Sequence, residues 1–138
     1  MVRNADAVWK GSLKEGKGTI STQSGGLKDT QYSFSTRFGD GVGVNPEELI
    51  AASHAACFSM AFGAQLGERG ITPEEIRTTA AVTMENLTLT KSALTTTVVA
   101  KGADEAAVRE AGAAAKAGCP ISKALSALEI TLDLTVEV

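Results

Sequence analysis

The sequence predicts an α+β domain. It is expected to carry a mostly antiparallel sheet, a long buried central helix and a second, Pro-kinked helix. Three observations predict this. Short β-rich segments, separated by Gly-containing turns, open and close the chain. Small and apolar residues over 46–68 follow a strong helix-start signal. An Ala-rich run over 104–118 is interrupted by Cys119-Pro120. The 138 residues suit one domain, 1–138.

Residues 5–12 and 17–23 read as strands joined through the polar Lys14–Gly18 turn, and Gly25-Gly26 marks the next turn. Residues 31–38 alternate. Tyr32, Phe34, Thr36 and Phe38 share one face, and Gln31, Ser33, Ser35 and Arg37 the other. That period of two predicts a half-buried strand with Arg37 directed away from the aromatic face. Residues 39–45 form a Gly-rich loop. Asn45 then suits an N-cap, Pro46 the first helical position, and Glu47 and Glu48 the positive end of the helix dipole. The helix is expected to reach about residue 68, near Gly67 and Gly70.

This helix is apolar on nearly every side. Ile50, His54, Cys57, Phe58, Ala61 and Leu66 share one broad side, and Leu49, Ala52, Ala56, Met60 and Gly63 the next. A small domain does not easily cover so much of one helix, so a partner subunit is expected. Residues 75–89 and 92–101 are Thr- and Val-rich strands. A helix over 104–118 stops at Cys119-Pro120 and resumes over 121–128. Residues 129–138 alternate as a closing strand. The order is β-β-β-α-β-β-α-β.

Composition narrows the function. Thirteen basic against sixteen acidic residues give a net charge of −3, with no basic stripe for nucleic acid. The most apolar window, 49–66, contains Ser53, His54, Ser59 and Gln65, and reads as a buried helix of a soluble protein, with no membrane partner. The first twenty residues lack a signal-like apolar stretch, so a cytoplasmic location is expected. There, Cys57 and Cys119 stay reduced unless oxidation is their task. Two cysteines are too few for a disulfide scaffold and are the natural number for one redox pair.

Several chemistries compete for these residues. By position alone Cys57 reads as a small buried hydrophobe in mid-helix. Cys119 sits at a helix break, where a side chain is re-aimed and backbone donors are freed. A metal site through His54, Cys57 and Cys119 has few ligands, with no CxxC and a single His. His54 as a base for Cys57 has no oxyanion loop such as GxSxG beside it. The Gly-rich loop lacks the Lys-Ser/Thr of a phosphate-binding loop. A thiol peroxidase needs only a thiolate, a stabilising cation and a second thiol to resolve the sulfenic acid. Cys57, Arg37 and Cys119 could supply these, with Glu47 or Glu48 to orient the guanidinium, although Arg37 by position alone reads as an ordinary surface residue. The competing class is a non-enzymatic, stress-related module that binds a small ligand and uses its cysteines structurally.

The stretches Lys17–Thr22, Ser35–Phe38, Asn45–Ala52, His54–Met60 and Lys116–Ser122 closely resemble the osmotically inducible protein C (OsmC) family, whose sister group is the organic hydroperoxide resistance proteins. The resemblance spans nearly the whole chain, and Thr36-Arg37-Phe38 favours the OsmC branch. It implies a thiol-dependent peroxidase for organic hydroperoxides, active in oxidative and osmotic stress defence. It implies Cys57 as peroxidatic cysteine, Cys119 as resolving cysteine, Arg37 as the thiolate's cation and Glu47 as the residue that orients Arg37. It implies no bound cofactor, but an external dithiol reductant, of which a lipoyl-type dithiol is a candidate. It also implies an intertwined homodimer. Glu47 and Cys57 stand ten residues apart on one helix, roughly 15 Å along its axis, so Arg37 and Glu47 are expected to serve Cys57 of the other subunit. His54 departs from the Tyr usual in the sister group, and no role is assigned to it.

Overall fold

The computed structural model describes residues 1–138. The chain divides into two compact units, 1–49 and 50–138. The first holds β1 (Ala5–Lys10), β2 (Lys17–Thr22) and β3 (Thr30–Tyr32), which form an antiparallel sheet in the order β1-β2-β3. Trp9 on β1 pairs with Gly18, and Gly18 pairs with Tyr32 on β3. The missing side chain at Gly18 makes room for the two flanking rings, whose centroids stand 5.4 Å apart. A Cβ there would overlap both of them. Gly18→Ala is therefore expected to destabilise the protein by about 1–3 kcal/mol, as overpacking does. A lowered denaturant midpoint at unchanged slope checks it.

One predicted element changes type. The expected strand over 31–38 ends at Tyr32, and Phe34–Phe38 form a short helix, α1. Ser33 is the reason. Its hydroxyl accepts the Thr36 N–H (3.3 Å), and its own N–H donates to Thr36 Oγ1 (2.9 Å), a reciprocal capping box. Phe34 and Phe38 stand on one face whether the spacing is read with period two or as i, i+4. The pattern therefore does not discriminate, and in the helix their ring centroids are 4.8 Å apart. Arg37 is consequently a helix residue, not a strand residue facing away from the aromatics. Its guanidinium lies over the Phe38 ring, 5.4 Å from the centroid.

The long helix α2 (Pro46–Glu68) matches its predicted bounds. Asn45 Oδ1 accepts the Glu48 N–H (2.8 Å), and Glu48 returns a carboxylate oxygen to the Asn45 N–H (3.2 Å). At the other end Gly70, at φ +70°, closes a Schellman motif. Its N–H donates to Gly67 O, and the Ile71 N–H donates to Leu66 O. α2 is long and apolar enough to cross a membrane by length and composition. Its inner stripe, however, is fully occupied: His54, Phe58, Phe62 and Leu66, at i, i+4 spacing, are all buried. On another side Ala52, Ala56 and Met60 remain exposed, Met60 at 78%. Burial on most sides, expected from composition, is not reached within one chain.

In the second unit β4 (Glu75–Glu85) and β5 (Thr88–Val99) form an antiparallel hairpin, turned by Asn86 and Leu87, both at positive φ. The chain then crosses through α3 (Glu105–Gly118) and α4 (Pro120–Ala124) to β6 (Glu129–Glu137), which lies parallel to β5. The sheet is therefore mixed, although three of the four strand pairings in the protein are antiparallel. The Asp104 carboxylate caps α3 through the Ala107 N–H (3.2 Å). α3 turns Val108, Ala111, Gly112 and Ala115 inward. Val108, Ala111 and Ala115 complete a core with Phe58, Phe62, Leu66, Leu94, Val98 and Ala100. Small residues on α3 allow close packing in a chain with only 4% aromatic residues.

Candidate active site

α3 and α4 are separated at Cys119, as the Pro signal requires. Cys119 is at once the C-cap of α3 and the N-cap of α4, with Pro120 at the first position of the new helix. Its extended backbone (φ −59°, ψ 130°) re-aims the side chain, and its sulfur accepts the Ser122 N–H (3.4 Å), one of the donors freed at the start of α4. Cys119 is fully buried. Cys57, on α2, is only partly buried, and both cysteines are free thiols. Their sulfurs share a hydrogen bond at 3.0 Å. A disulfide needs about 2.05 Å, so bonding requires an approach of only about 1 Å.

The two thiols differ in acidity. Burial pushes Cys57 up, and the neighbouring Cys119 adds to the rise, while the Ile121 N–H opposes it. Burial also works to raise Cys119. It is outweighed by hydrogen bonding from Cys57, from the N–H and hydroxyl of Ser122, and from the Ile121 N–H, so Cys119 ends below the ordinary thiol value. Within the second unit, then, Cys57 is shifted up and Cys119 down from the ordinary thiol value. Cys57 has no cation there to favour its charged form.

Arg37 and Glu47 also meet, within the first unit. The arginine Nε and a terminal nitrogen both donate to Glu47 Oε1, at 2.9 and 2.7 Å, and the arginine side chain remains 40% exposed. The first Glu of the Asn45–Glu48 motif holds the guanidinium, while Glu48 serves the cap. Asn45 further ties α1 to the start of α2 by donating to Thr36 O (3.1 Å). Beside Arg37 lies a cavity of about 270 Å³, lined by Trp9, Leu13, Tyr32, Phe34 and Phe38. It is an apolar, largely aromatic pocket with one fixed cation at its edge.

His54 is buried, and both its ring nitrogens meet serine hydroxyls. Nδ1 lies 2.6 Å from Ser92 Oγ, and Nε2 lies 2.9 Å from Ser122 Oγ. With both nitrogens so engaged, it does not join the two sulfurs in a ligand set. Burial lowers its pKa and holds the ring neutral. Sequence reasoning does not find Ser92 and Ser122 as polar partners of this site. The signal available is the matched spacing of His54 to Cys57 and of Cys119 to Ser122, three residues in each case.

A fold with two such thiols at the junction of a core helix and a broken helix defines a class of cysteine-based redox proteins. The OsmC-like protein family model matches residues 39–135, and the chain belongs to that family. Peroxiredoxin OsmC of Escherichia coli (strain K12) is 49% identical over 135 residues, which cover 95% of this chain and 94% of the relative. The crystal structure of the organic hydroperoxide resistance protein OhrB of Bacillus subtilis is similar at a TM-score of 0.69 and 25% identity, over 96% of this chain and 98% of that one. An OsmC-like protein from Mycoplasma pneumoniae shares the fold at a TM-score of 0.78 and 16% identity, over 100% and 99% of the two chains.

Proposed function

We propose that this chain is a thiol-dependent peroxidase that reduces organic hydroperoxides to alcohols in oxidative and osmotic stress defence. The observation that carries the reading is the pair of free thiols, Cys57 and Cys119, with sulfurs 3.0 Å apart. Cys57 is the peroxidatic residue because it is the more exposed sulfur and the one a peroxide can reach. Its thiolate attacks one peroxide oxygen, the O–O bond breaks, and the alkoxide leaves and takes a proton as the alcohol. Cys57 is left as a sulfenic acid. Cys119 attacks that sulfur, an S–S bond forms, and the hydroxyl leaves as water. An external dithiol, with a lipoyl-type dithiol as candidate, restores both thiols by exchange. No prosthetic group takes part.

The raised pKa of Cys57 within its own unit makes a cation necessary, and Arg37, oriented by Glu47, is that cation. The ten-residue spacing of Glu47 and Cys57 argues that Arg37 and Glu47 act on Cys57 of a second subunit in a homodimer. The exposed apolar stripe Ala52, Ala56 and Met60 supports such a partner. The aromatic cavity beside Arg37 supports an organic substrate, since an alkyl group is buried there and hydrogen peroxide has none. The two units are read as one OsmC-like domain, 1–138, of a cytoplasmic protein.

Thiol titration after one equivalent of an organic hydroperoxide tests the reading. Two thiols per chain should disappear, with no cross-link between chains on a non-reducing gel. Retention of both thiols would point instead to the non-enzymatic module with structural cysteines.

A further inference from the structure

The peroxidase mechanism leaves one buried side chain unused. His54 precedes Cys57 by three residues on α2, and Ser122 follows Cys119 by three at the start of α4. α2 and this segment therefore meet at two adjacent rungs. One is Cys119 Sγ to Cys57 Sγ at 3.0 Å, and the other is His54 Nε2 to Ser122 Oγ at 2.9 Å. The ring is fixed from its other side, where Nδ1 lies 2.6 Å from Ser92 Oγ on β5. α4 is five residues long, too short to persist as a helix by itself, and Ser122 is its one buried residue. That residue carries two ties. Its hydroxyl meets the imidazole, and its N–H donates to Cys119 Sγ (3.4 Å). The place of the Cys119 sulfur thus follows from where α2 and β5 hold His54.

Resting on the reading of Cys57 and Cys119 as a redox pair, we propose that the His54–Ser122 rung sets the stability of their disulfide, by holding the first turn of α4 so that Cys119 Sγ stays beside Cys57 Sγ before the bond is made. His54 is in this sense a positioning residue, and it exchanges no proton with either sulfur. In the resolving step Cys119 attacks the sulfenic sulfur of Cys57, the S–S bond forms as the S–O bond breaks, and the hydroxide leaves with the Cys119 proton as water. The sulfenic sulfur is reduced and the Cys119 sulfur oxidised. The rung acts through order. A bond between two groups already held together costs less freedom than one that must first order a helix. Without the rung, α4 is freer in the dithiol form, whereas the disulfide form remains restrained by its own bond. The balance then moves towards the dithiol. The coupling is reciprocal, so the disulfide steadies the rung as much as the rung favours the disulfide.

The test is a redox titration of the full-length protein in buffers of lipoic acid and its dithiol, two electrons and two protons passing for each disulfide reduced. The disulfide fraction is read by intact mass after thiol alkylation. Two variants break the rung. Ser122→Ala removes the hydroxyl, and His54→Asn keeps a polar group towards Ser92 but is too short for Ser122. Two variants keep it. Ser122→Thr retains a hydroxyl, and His54→Gln places an amide where Nε2 stands. Breaking the rung is expected to favour the dithiol about tenfold, the order of one hydrogen bond's net contribution, which raises the reduction potential by about 30 mV. The rung-keeping variants should stay close to the parent value. Loss of packing alone would lower the unfolding midpoint of the variants without sorting their potentials in this way. The protein has a single histidine, so its ring signals are unambiguous. In the unsubstituted protein the Nε2 resonance should keep its hydrogen-bonded position in both the dithiol and the disulfide form, a measurement that needs no variant to fold. Unchanged potentials in the rung-breaking variants, equal shifts in all four, or an Nε2 that leaves its hydrogen bond when the disulfide forms overturns the proposal. Failure of the unsubstituted protein to form an intramolecular disulfide with excess organic hydroperoxide would instead count against the redox-pair reading.

Discussion

Replacing Cys57 by Ser is expected to abolish peroxide-dependent oxidation of a dithiol, with a loss of at least about a thousandfold, as removal of a nucleophile generally causes. A hydroxyl at this place has no accessible anionic form near neutral pH and no sulfur to oxidise. Cys119→Ser should behave differently. Cys57 is still oxidised there, but with its partner gone the sulfenic acid accumulates, and excess peroxide drives it to the sulfinic state. Intact-mass measurement after peroxide distinguishes the two, as no added oxygen in Cys57→Ser and one or two in Cys119→Ser. Undiminished turnover in Cys57→Ser would sink the assignment of the peroxidatic residue.

The second large effect concerns Arg37. An opposite charge typically lowers a neighbouring acid by about 1–3 pH units, so Arg37→Met should slow the peroxide reaction about 10- to 1,000-fold at neutral pH. The sign follows from the charged form. Without the guanidinium the Cys57 pKa rises, the thiolate fraction at a given pH falls, and the lost rate returns as pH climbs through the higher pKa. Stopped-flow rates across pH check this. Subunit exchange checks the geometry. In a mixed dimer of Arg37→Met and Cys57→Ser chains, one site combines an intact Cys57 with the intact Arg37 of its partner. Mixing two poorly active proteins should then restore turnover. If Arg37 served the cysteine of its own chain, no site in the mixture would be complete and activity would stay low.

Much of this is legible in the sequence because the signals are local. Asn45-Pro46-Glu47-Glu48 specifies a helix start through groups that all lie within one turn, and the cap, the first-turn Pro and the acids appear where expected. Pro120 breaks the second helix for an equally local reason, the absent N–H and the restricted residue before it. Segment 33–38 is ambiguous because alternation and i, i+4 spacing coincide for Phe34 and Phe38, and the side-chain capping of Ser33 decides for the helix. The extent to which α2 is buried also lies beyond a periodicity argument. An all-round apolar helix states how much surface asks for cover, not which side of it a single chain covers.

By itself, the sequence determined the two candidate cysteines, the order of most elements and the family motifs, because residue type and short-range spacing carry that information. Only the tertiary structure decided that β6 runs parallel to β5, since strand direction depends on where a long crossover returns. Only it joined residues 62 positions apart into a pair of sulfurs at hydrogen-bond distance. And only it showed that His54, a lone histidine without a role in the linear pattern, holds serines 38 and 68 positions away. Such contacts are set by how α2 meets β5 on one side and the start of α4 on the other, and a single buried polar side chain leaves no periodic trace of the partners that satisfy it.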